Sequence, residues 1–331
     1  MNNIIWISSS AFIISLLIQF IVIRLSFKHN LFIDLHTQDK PQNFHENSTP
    51  RSGGIGIILS MLLLLLTPLG WKLVLSIGLA FISGIFEDLY SSLNPKLRLL
   101  LQFIAAVSAV FLTNSVITYL GFGMHLPYVI GVIFSIFAIV GLMNAINIID
   151  GFNGLAAGIS FLVLLSFSIV ALKVDNYEVF QICLIVMSAI FGFLVFNFPK
   201  GKIFLGDGGA YLLGFISALI GIFLGASYEI VSPWFVMSIL IYPVWEVLFS
   251  IMRKMKKGYS PLEPDAYHLH MLIYKHITHS NPLTSVFIIS SSLPFMIVST
   301  IFSNNSTANF LVSISFIFCY LILYAYLSKK N

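Results

Sequence analysis

The feature that most constrains this chain is a series of apolar segments, most of them close in length to a membrane-spanning helix. An α-helix needs about 20 apolar residues to cross a bilayer, and only helices or closed barrels satisfy their backbone hydrogen bonds there. Of the 331 residues, 58% are hydrophobic and 9% are charged, whereas soluble domains carry about 25% charged residues. The sequence therefore predicts an all-α, polytopic integral membrane helix bundle that forms a single domain over residues 1–331. About eleven segments qualify: 3–23, 54–69, 71–86, 97–119, 126–146, 155–172, 179–197, 209–226, 232–251, 283–303 and 309–327.

Basic residues are distributed unevenly over the connections between these segments. Of the 17 Lys and Arg residues, Lys72 and Lys173 fall on one side of the membrane and the other 15 fall on the opposite side. Because cytoplasmic loops carry the excess of Lys and Arg, we expect the N-terminus outside and the C-terminus in the cytoplasm. The cytoplasmic loops available for catalysis are then about 24–53, 87–97, 147–155, 197–208 and 252–282.

Two adjacent carboxylates, Glu87 and Asp88, end the third segment at the cytoplasmic surface. Such a pair attracts a hard divalent cation, and without a metal one member could act as a base. The alternative is a solvated helix end facing the next loop. That loop carries Arg98 and also Lys96, which we expect to contact substrate.

A polar stripe ends the fifth segment in "LMNAINIIDGFNGLAAG", residues 142–158. Asn144, Asn147 and Asp150 are spaced three residues apart, which places them along one side of a helix. Polar groups in a bilayer must face protein or a polar cavity. Gly151 then allows close backbone approach by a ligand. A substrate site and an interhelical hydrogen-bond seam both fit the asparagines, but the glycine turn favours the site.

A glycine-rich turn surrounds Asp207 in "KGKIFLGDGGAYLLGF", residues 200–215. The N-terminus of the helix that follows favours an anion, whereas the carboxylate favours a cation. A phosphate that arrives with Mg²⁺ satisfies both, because Mg²⁺ takes one or two protein carboxylates plus phosphate oxygens. An aspartate N-cap is the alternative, although it leaves the three glycines unexplained.

The ninth loop, "RKMKKGYSPLEPDAYHLHMLIYKH", is basic and contains His268 and His270. Its pattern is typical of a nucleotide or pyrophosphate clamp. A polybasic segment attracted to anionic lipids also fits its lysines. A zinc site lacks a third ligand at suitable local spacing.

The first loop, residues 24–53, gives weaker signals. It contributes Asp34, His45, Arg51 and the pair Gly53–Gly54, which could admit a phosphate. Of these we expect Arg51 to bind substrate.

These blocks, taken in order, resemble the polyprenyl-phosphate N-acetylhexosamine-1-phosphate transferase family, which also includes phospho-N-acetylmuramoyl-pentapeptide transferase. The resemblance covers nearly the whole chain. The matching pieces are "PRSGGIGI", "GIFEDLYSSLNPKLRL", "NAINIIDGFNGLAAG", "IFLGDGGAYLLGF" and "DAYHLHMLI".

The resemblance implies a multi-pass enzyme of the bacterial inner membrane that requires Mg²⁺, with Mn²⁺ as a substitute. It would transfer a sugar-1-phosphate from a UDP-sugar to undecaprenyl phosphate and release UMP. In such a family Asp207 matches the aspartate that binds the metal, and Glu87 and Asp88 match the aspartate pair that handles the metal and the lipid phosphate. We expect all three to be catalytic, with Asp207 and Asp88 as metal ligands and Glu87 keeping the lipid phosphate deprotonated. The enzyme's partners would be these two substrates, membrane lipids and a second copy of the chain, with no nucleic acid. The matching substrate-binding residues are Asn144, Asn147, Asp150, Gly151, Arg51, Lys96, His268 and His270.

Two positions depart from the family pattern. Glu87 stands where much of the family has aspartate, and Met271 stands where many members have a further histidine. These departures favour a branch that initiates a surface polysaccharide such as O-antigen, capsule or wall polymer. A transporter or flippase and a non-catalytic lipid-binding protein are the alternatives. Transport sites usually lie near the midplane between repeats, whereas the carboxylates here gather at one face.

Overall fold

The fold consists almost entirely of helices. A computed structural model describes residues 2–34, 48–90, 94–260 and 265–330. Within these ranges the strands are β1 (Ile33–Asp34) and β2 (Thr49–Pro50). The helices are α1 (Asn2–His29), α2 (Gly53–Met61), α3 (Gly70–Tyr90), α4 (Pro95–Thr113), α5 (Tyr128–Ile149), α6 (Leu155–Lys173), α7 (Tyr177–Asn197), α8 (Gly206–Ser227), α9 (Pro233–Ile239), α10 (Ile241–Lys256), α11 (Leu269–Ile273), α12 (Asn281–Ile301) and α13 (Ser306–Ser328).

Many of these helices are long and apolar enough to cross a membrane. In the described ranges eight qualify by length and composition, and a ninth span results if α9 and α10 are one bent span. The predicted all-α, multi-pass fold is therefore confirmed. Each predicted segment coincides with one helix or with two consecutive ones, while the count of eleven crossings stays a prediction. The eight helices are α1, α4, α5, α6, α7, α8, α12 and α13.

Several predicted boundaries are wrong. The segment 97–119 is too long, because α4 ends at Thr113 and Asn114 adopts a left-handed conformation with φ of 53°. The segment 232–251 is broken, since α9 and α10 meet at 75°. Pro243 lies just after the break, where its ring would clash with the carbonyl group four residues earlier in a continuous helix. The predicted loop 252–282 contains the end of α10, all of α11 and a π-helical turn, Tyr274–Thr278.

Helix α8 lies at the centre of the bundle. Of its most apolar 18-residue window, 83% is buried, compared with 17% for α1 and 22% for α13. It packs against α2, α3, α5 and α6. A helix that is apolar all round is typical of such a central position. The N-terminus of α8, which carries Asp207, is therefore surrounded by the ends of its neighbours.

Glycines let the backbones of these neighbours touch the N-terminus of α8. A Cβ at Gly84 of α3 would lie 2.4 Å from the backbone nitrogen of Gly208, and one at Gly54 of α2 would lie 2.5 Å from that of Gly209. No side chain fits at such contacts. The close approach brings Asp88, one turn after Gly84, to the start of α8.

Short stretches of extended backbone hold the segment that precedes α2. β1 pairs antiparallel with β2, with Ile33 opposite Pro50. Arg51 follows in a bridge with Phe204, and the N–H groups of Gly53 and Gly54 donate to the carbonyl oxygens of Phe204 and Leu205 at 2.9 and 3.0 Å. This pairing fixes Arg51 beside the turn before α8. It also uses the two glycine N–H groups that the sequence offered as a phosphate site.

Candidate active site

Asp207 lies in the first turn of α8 among nitrogen donors from three other segments. Its Oδ1 accepts a hydrogen bond from Nδ2 of Asn147 at 3.0 Å. One guanidinium nitrogen of Arg51 lies 3.5 Å from Oδ1, and one of Arg98 lies 3.4 Å from Oδ2. The Asp207 side chain is 12% exposed. An amide and two cations thus surround this carboxyl group at a position that solvent still reaches.

Asp88 caps the N-terminus of α8. Its Oδ1 accepts the backbone N–H of Asp207 at 2.8 Å, and its Oδ2 accepts that of Gly208 at 2.9 Å. Helix N-termini have unsatisfied N–H groups and favour negative charge. The group at this helix end is therefore a carboxyl group of the chain itself, and burial, with the neighbouring Asp207, raises its pKa to about 8. A metal-binding role for Asp88 stays a prediction, and both of its oxygens already have a backbone partner.

Gly206 has a structural reason to be glycine. Its φ is 76°, and a Cβ there would lie 2.6 Å from the carbonyl oxygen of Arg51 and 2.7 Å from Oδ2 of Asp88. A side chain would thus be strained and would also displace the capping carboxylate. Close packing, rather than phosphate approach, accounts for the glycines around Asp207.

The two asparagines of α5 have different surroundings. Asn147 contacts Asp207, as described above. Nδ2 of Asn144 instead donates to Oε1 of Gln102 and to the carbonyl oxygen of Val140, both at 2.8 Å. Both N–H groups of that amide are used within the protein. Asn144 therefore takes part in the interhelical hydrogen bonding that was the alternative to a substrate site. Asn147 belongs to the candidate site.

Asp150 follows the last residue of α5 and lies in the field of the same charges. Burial raises the pKa of its carboxyl group from 3.8 to about 7; the positive charge of Arg51 opposes this shift and the negative charge of Asp207 adds to it. Next along the chain, a Cβ at Gly151 would lie 3.8 Å from Nε2 of His270. The end of α5 thus connects the Asp207 cluster with the histidine segment.

His268 and His270 are buried rather than displayed on a loop. Their rings stack with centroids 5.3 Å apart, and His270 is fully buried. Burial lowers the pKa of His270 to about 3, with the neighbouring Glu246 opposing the shift. Its Nε2 has no hydrogen-bond partner among the described residues. His270 is therefore neutral near pH 7, with one ring nitrogen available in a buried position close to Gly151.

The other predicted site residues have different placements. Glu87 is partly exposed beside Asp88, and Lys96 is exposed near the start of α4. The backbone N–H of Lys96 donates to the side chain of Asn94, the N-cap of α4. Arg98, two residues after Lys96, is the basic residue of this segment whose side chain contacts Asp207. His45 lies outside the described residues.

Sequence reasoning missed three residues that the structure brings to the site region. Arg98 lay in a loop where Lys96 was preferred. Tyr211 lies one turn after Asp207 on the same face of α8, and its buried hydroxyl has no partner among the described residues. Glu246 lies within the predicted segment 232–251, and an ionisable residue inside an apolar segment is itself a signal of function.

The oxygen ligands at this site suit a hard divalent cation. The described residues contain no group of three or more His, Cys, Asp or Glu side chains able to hold a metal. Mg²⁺ does not require one, because it keeps waters and uses one or two carboxylates together with substrate phosphates. Asp207, whose side chain is 12% exposed, fits that mode. The fold and the site together define a multi-pass membrane protein with a cluster of carboxyl, amide and guanidinium groups at one end of its bundle.

Comparisons with known proteins agree with this class. The sequence profile of glycosyl transferase family 4 matches residues 70–225. The chain is 30% identical over 284 residues to a probable undecaprenyl-phosphate N-acetylglucosaminyl 1-phosphate transferase of Bacillus subtilis, covering 78% of this chain and 75% of that protein. It is 28% identical over 289 residues to the phospho-N-acetylmuramoyl-pentapeptide-transferase of Lactobacillus helveticus, covering 78% and 87%.

A third relative has a different lipid in its name. The decaprenyl-phosphate N-acetylglucosaminephosphotransferase of Mycolicibacterium smegmatis is 27% identical over 314 residues, covering 80% of this chain and 74% of that protein. The chain therefore belongs to the polyprenyl-phosphate N-acetylhexosamine-1-phosphate transferases of glycosyl transferase family 4.

Proposed function

We propose that the protein transfers an N-acetylhexosamine-1-phosphate from a UDP-sugar to undecaprenyl phosphate and releases UMP. The product is a lipid-linked pyrophosphoryl sugar that initiates a cell-surface polysaccharide. The observation that carries the proposal is the cluster around Asp207, where Asn147, Arg51 and Arg98 converge on one carboxylate at the N-terminus of the central helix. The distribution of Lys and Arg supports a cytoplasmic position for this cluster in the bacterial inner membrane.

The reaction exchanges one pyrophosphate bond for another. An oxygen of the lipid phosphate forms a bond to the phosphorus that carries the sugar, and the bond from that phosphorus to the oxygen of the leaving UMP breaks. Both substrates are anions, so bringing them together is a large part of the barrier. Guanidinium groups suit this task because they remain charged and bind phosphate oxygens through several N–H groups. In this proposal Arg51 and Arg98, which lie beside Asp207, would hold the two phosphates.

The carboxylates have separate tasks in this proposal. Asp207, with Asn147 fixing its orientation, would hold Mg²⁺ or Mn²⁺, which when bound neutralises phosphate charge. Asp88 keeps the first turn of α8 in place through two backbone N–H groups. Glu87, which is partly exposed, would keep the lipid phosphate deprotonated. Asp150, Gly151 and the histidines lie on the side that we assign to the nucleotide donor.

The test is UMP release by the purified full-length protein with undecaprenyl phosphate and a panel of UDP-N-acetylhexosamines. We expect release to require both the lipid and Mg²⁺ and to stop with EDTA. Asp207→Asn should lower the rate at least about a hundredfold, because the amide would no longer hold the cation that neutralises phosphate charge in the transition state.

Asp175→Asn is the matched control, since Asp175 lies between α6 and α7 at the other end of the bundle. Its backbone is left-handed, with a φ of 54°, and asparagine tolerates this conformation. This variant should leave the rate unchanged. UMP release that EDTA and Asp207→Asn leave intact would overturn the assignment of the site. A folded protein that binds the lipid but releases no UMP with any donor would favour a lipid-binding or transport protein.

A further inference from the structure

The bent membrane segment contains a buried carboxylate that the proposed reaction does not use. Glu246 lies in α10 and is 1% exposed. Its Oε1 accepts the backbone N–H of Leu269 at 3.0 Å and lies 3.0 Å from Nδ1 of His268. Its Oε2 accepts the hydroxyl group of Tyr320 at 2.9 Å. A buried carboxylate is tolerated when its oxygens are paired in this way.

These contacts settle how the His268 ring is oriented. A carboxylate only accepts hydrogen bonds, so the hydrogen between the two groups belongs to Nδ1 of His268. Nε2 then points away from Glu246 and lies 3.6 Å from Oδ1 of Asp265. Asp265 is itself held by Arg253 through bonds of 2.9 and 2.7 Å. At 3.6 Å the contact of Nε2 with Asp265 is too long for a hydrogen bond, so Nε2 is the ring nitrogen of His268 that the Glu246 contact leaves for a ligand.

A path of direct contacts runs from Glu246 toward the active site. His268 stacks on His270 with ring planes 5° apart. Nε2 of His270 faces the position of Gly151. Gly151 follows Asp150, which feels the charges of Arg51 and Asp207. Glu246 lies in α10, which meets α9 at 75°, and it contacts the histidine segment at His268 and Leu269.

We propose that Glu246 is a positioning residue for His268 and that this pair sets how tightly the enzyme holds the pyrophosphate of its nucleotide-sugar donor. Glu246 is buried under the imidazole and acts only through it. The inference rests on the proposed function, which places the histidine segment on the donor side. The inference thus assigns an effect on donor affinity to Glu246, a residue of helix α10 rather than of a loop.

A purely structural role is the competing explanation. Glu246 joins α10 to α13 through Tyr320 and to α11 through Leu269, so its loss would also loosen the bundle. The two roles differ in which kinetic constant changes. A positioning role raises the KM for the donor and leaves the KM for undecaprenyl phosphate unchanged, whereas loosening affects both substrates and lowers the unfolding temperature.

The experiment is a double-mutant cycle with Glu246→Gln, His268→Ala and the two combined, read as KM for each substrate. We expect Glu246→Gln to raise the donor KM about tenfold, as is typical when a carboxylate that orients a functional histidine is lost. The combined variant should be no worse than His268→Ala alone, because residues that act as a unit are not additive. Tyr320→Phe, which removes the hydroxyl group that donates to Glu246, should raise the donor KM by a smaller factor. This variant replaces Glu246→Gln in the test if Glu246→Gln does not fold.

Glu178→Gln is the matched control. Its Oε1 accepts the backbone N–H of Leu69 at 2.6 Å at the start of α7, away from the site, so this variant should change stability but neither KM. Glu246→Gln and His268→Ala effects that multiply in the combined variant would overturn the inference, as would an equal rise in both KM values. A wild-type protein that turns over no donor would instead overturn the proposed function, and this inference with it.

Discussion

The carboxyl group of Asp150 lies where α5 ends, close to charges of both signs. Because burial raises its pKa to about 7, the folded protein holds a proton on this group that the unfolded chain releases above its ordinary pKa of 3.8. The stability that this group contributes is therefore fully present below about pH 4 and is lost as the pH rises to about 7.

Asp150→Asn imitates the protonated group at every pH and gives a direct test. In EDTA, which keeps the site free of metal, we expect the variant and the wild type to unfold at similar temperatures near pH 4. The variant should become the more stable one as the pH rises toward 7, with a constant difference above that. Thermal unfolding in detergent across this pH range measures the effect. A difference that does not change with pH would contradict it.

At the scale of residues, the sequence indicated which polar side chains gather at the site better than it indicated which neighbouring side chains each of them contacts. It predicted Asp207, Asn147 and Asp150 as site residues, because carboxylates and amides at the ends of apolar helices are costly without a function. The structure brings these residues to one region, and their roles stay predictions. The sequence could not separate Asn144 from Asn147, since both lie on one side of α5 and only the position of Gln102 on α4 decides which one is used in a seam. The sequence also favoured Lys96 over Arg98. Only the position of α8 relative to α4 shows that it is Arg98 whose side chain contacts Asp207.

At the scale of elements, α3 and α8 show how glycines bring functional groups together. Gly84 touches the backbone of α8, and Gly78, on the same helix, has open space where its Cβ would lie. The sequence alone does not distinguish these two glycines. Likewise it shows Pro243 but not that the chain turns by 75° there, because proline in a membrane helix is often accommodated without a sharp bend.

The pair of glycines in α3 provides a prediction with an internal control. We expect Gly84→Ala to lower the free energy of unfolding by about 1–3 kcal/mol, because the added methyl group meets backbone that cannot move aside. Gly78→Ala should be neutral or stabilising by up to about 1 kcal/mol, as alanine is the better helix former. Thermal unfolding of both variants in detergent checks this. Equal effects at the two positions would show that α3 and α8 do not touch as described.

At the scale of the whole molecule, the bundle surrounds α8 and gathers Asp88, Asp207, Arg51 and Arg98 at one end. The apolar segments indicated the membrane class and the approximate positions of the helices, because length and hydropathy are properties of the chain alone. Length and hydropathy did not predict that α8 lies at the centre of the bundle. Most of the segments are strongly apolar, and only packing distinguishes a central helix from one in contact with lipid.

The orientation of the bundle is a further prediction at this scale. The excess of Lys and Arg predicts that the chain end after Lys330 and the loop before α8 are cytoplasmic and that the connection at Asp175 is outside. A fluorescent reporter that matures only in the cytoplasm should be bright when fused after Lys330 and dark when inserted at Asp175. A periplasmic phosphatase reporter should give the opposite result. The same signal from one reporter at both positions would contradict the topology.

The capping of α8 by Asp88 has a consequence for inhibitor design. A compound that carries a phosphate mimic would normally gain affinity from an open helix N-terminus. Here that position is already filled by a carboxylate of the chain with two short bonds to Asp207 and Gly208. A competitive compound aimed at this turn would first have to displace Asp88. Anionic groups are better directed at Arg51 and Arg98, and a neutral hydrogen-bonding group at the buried Nε2 of His270.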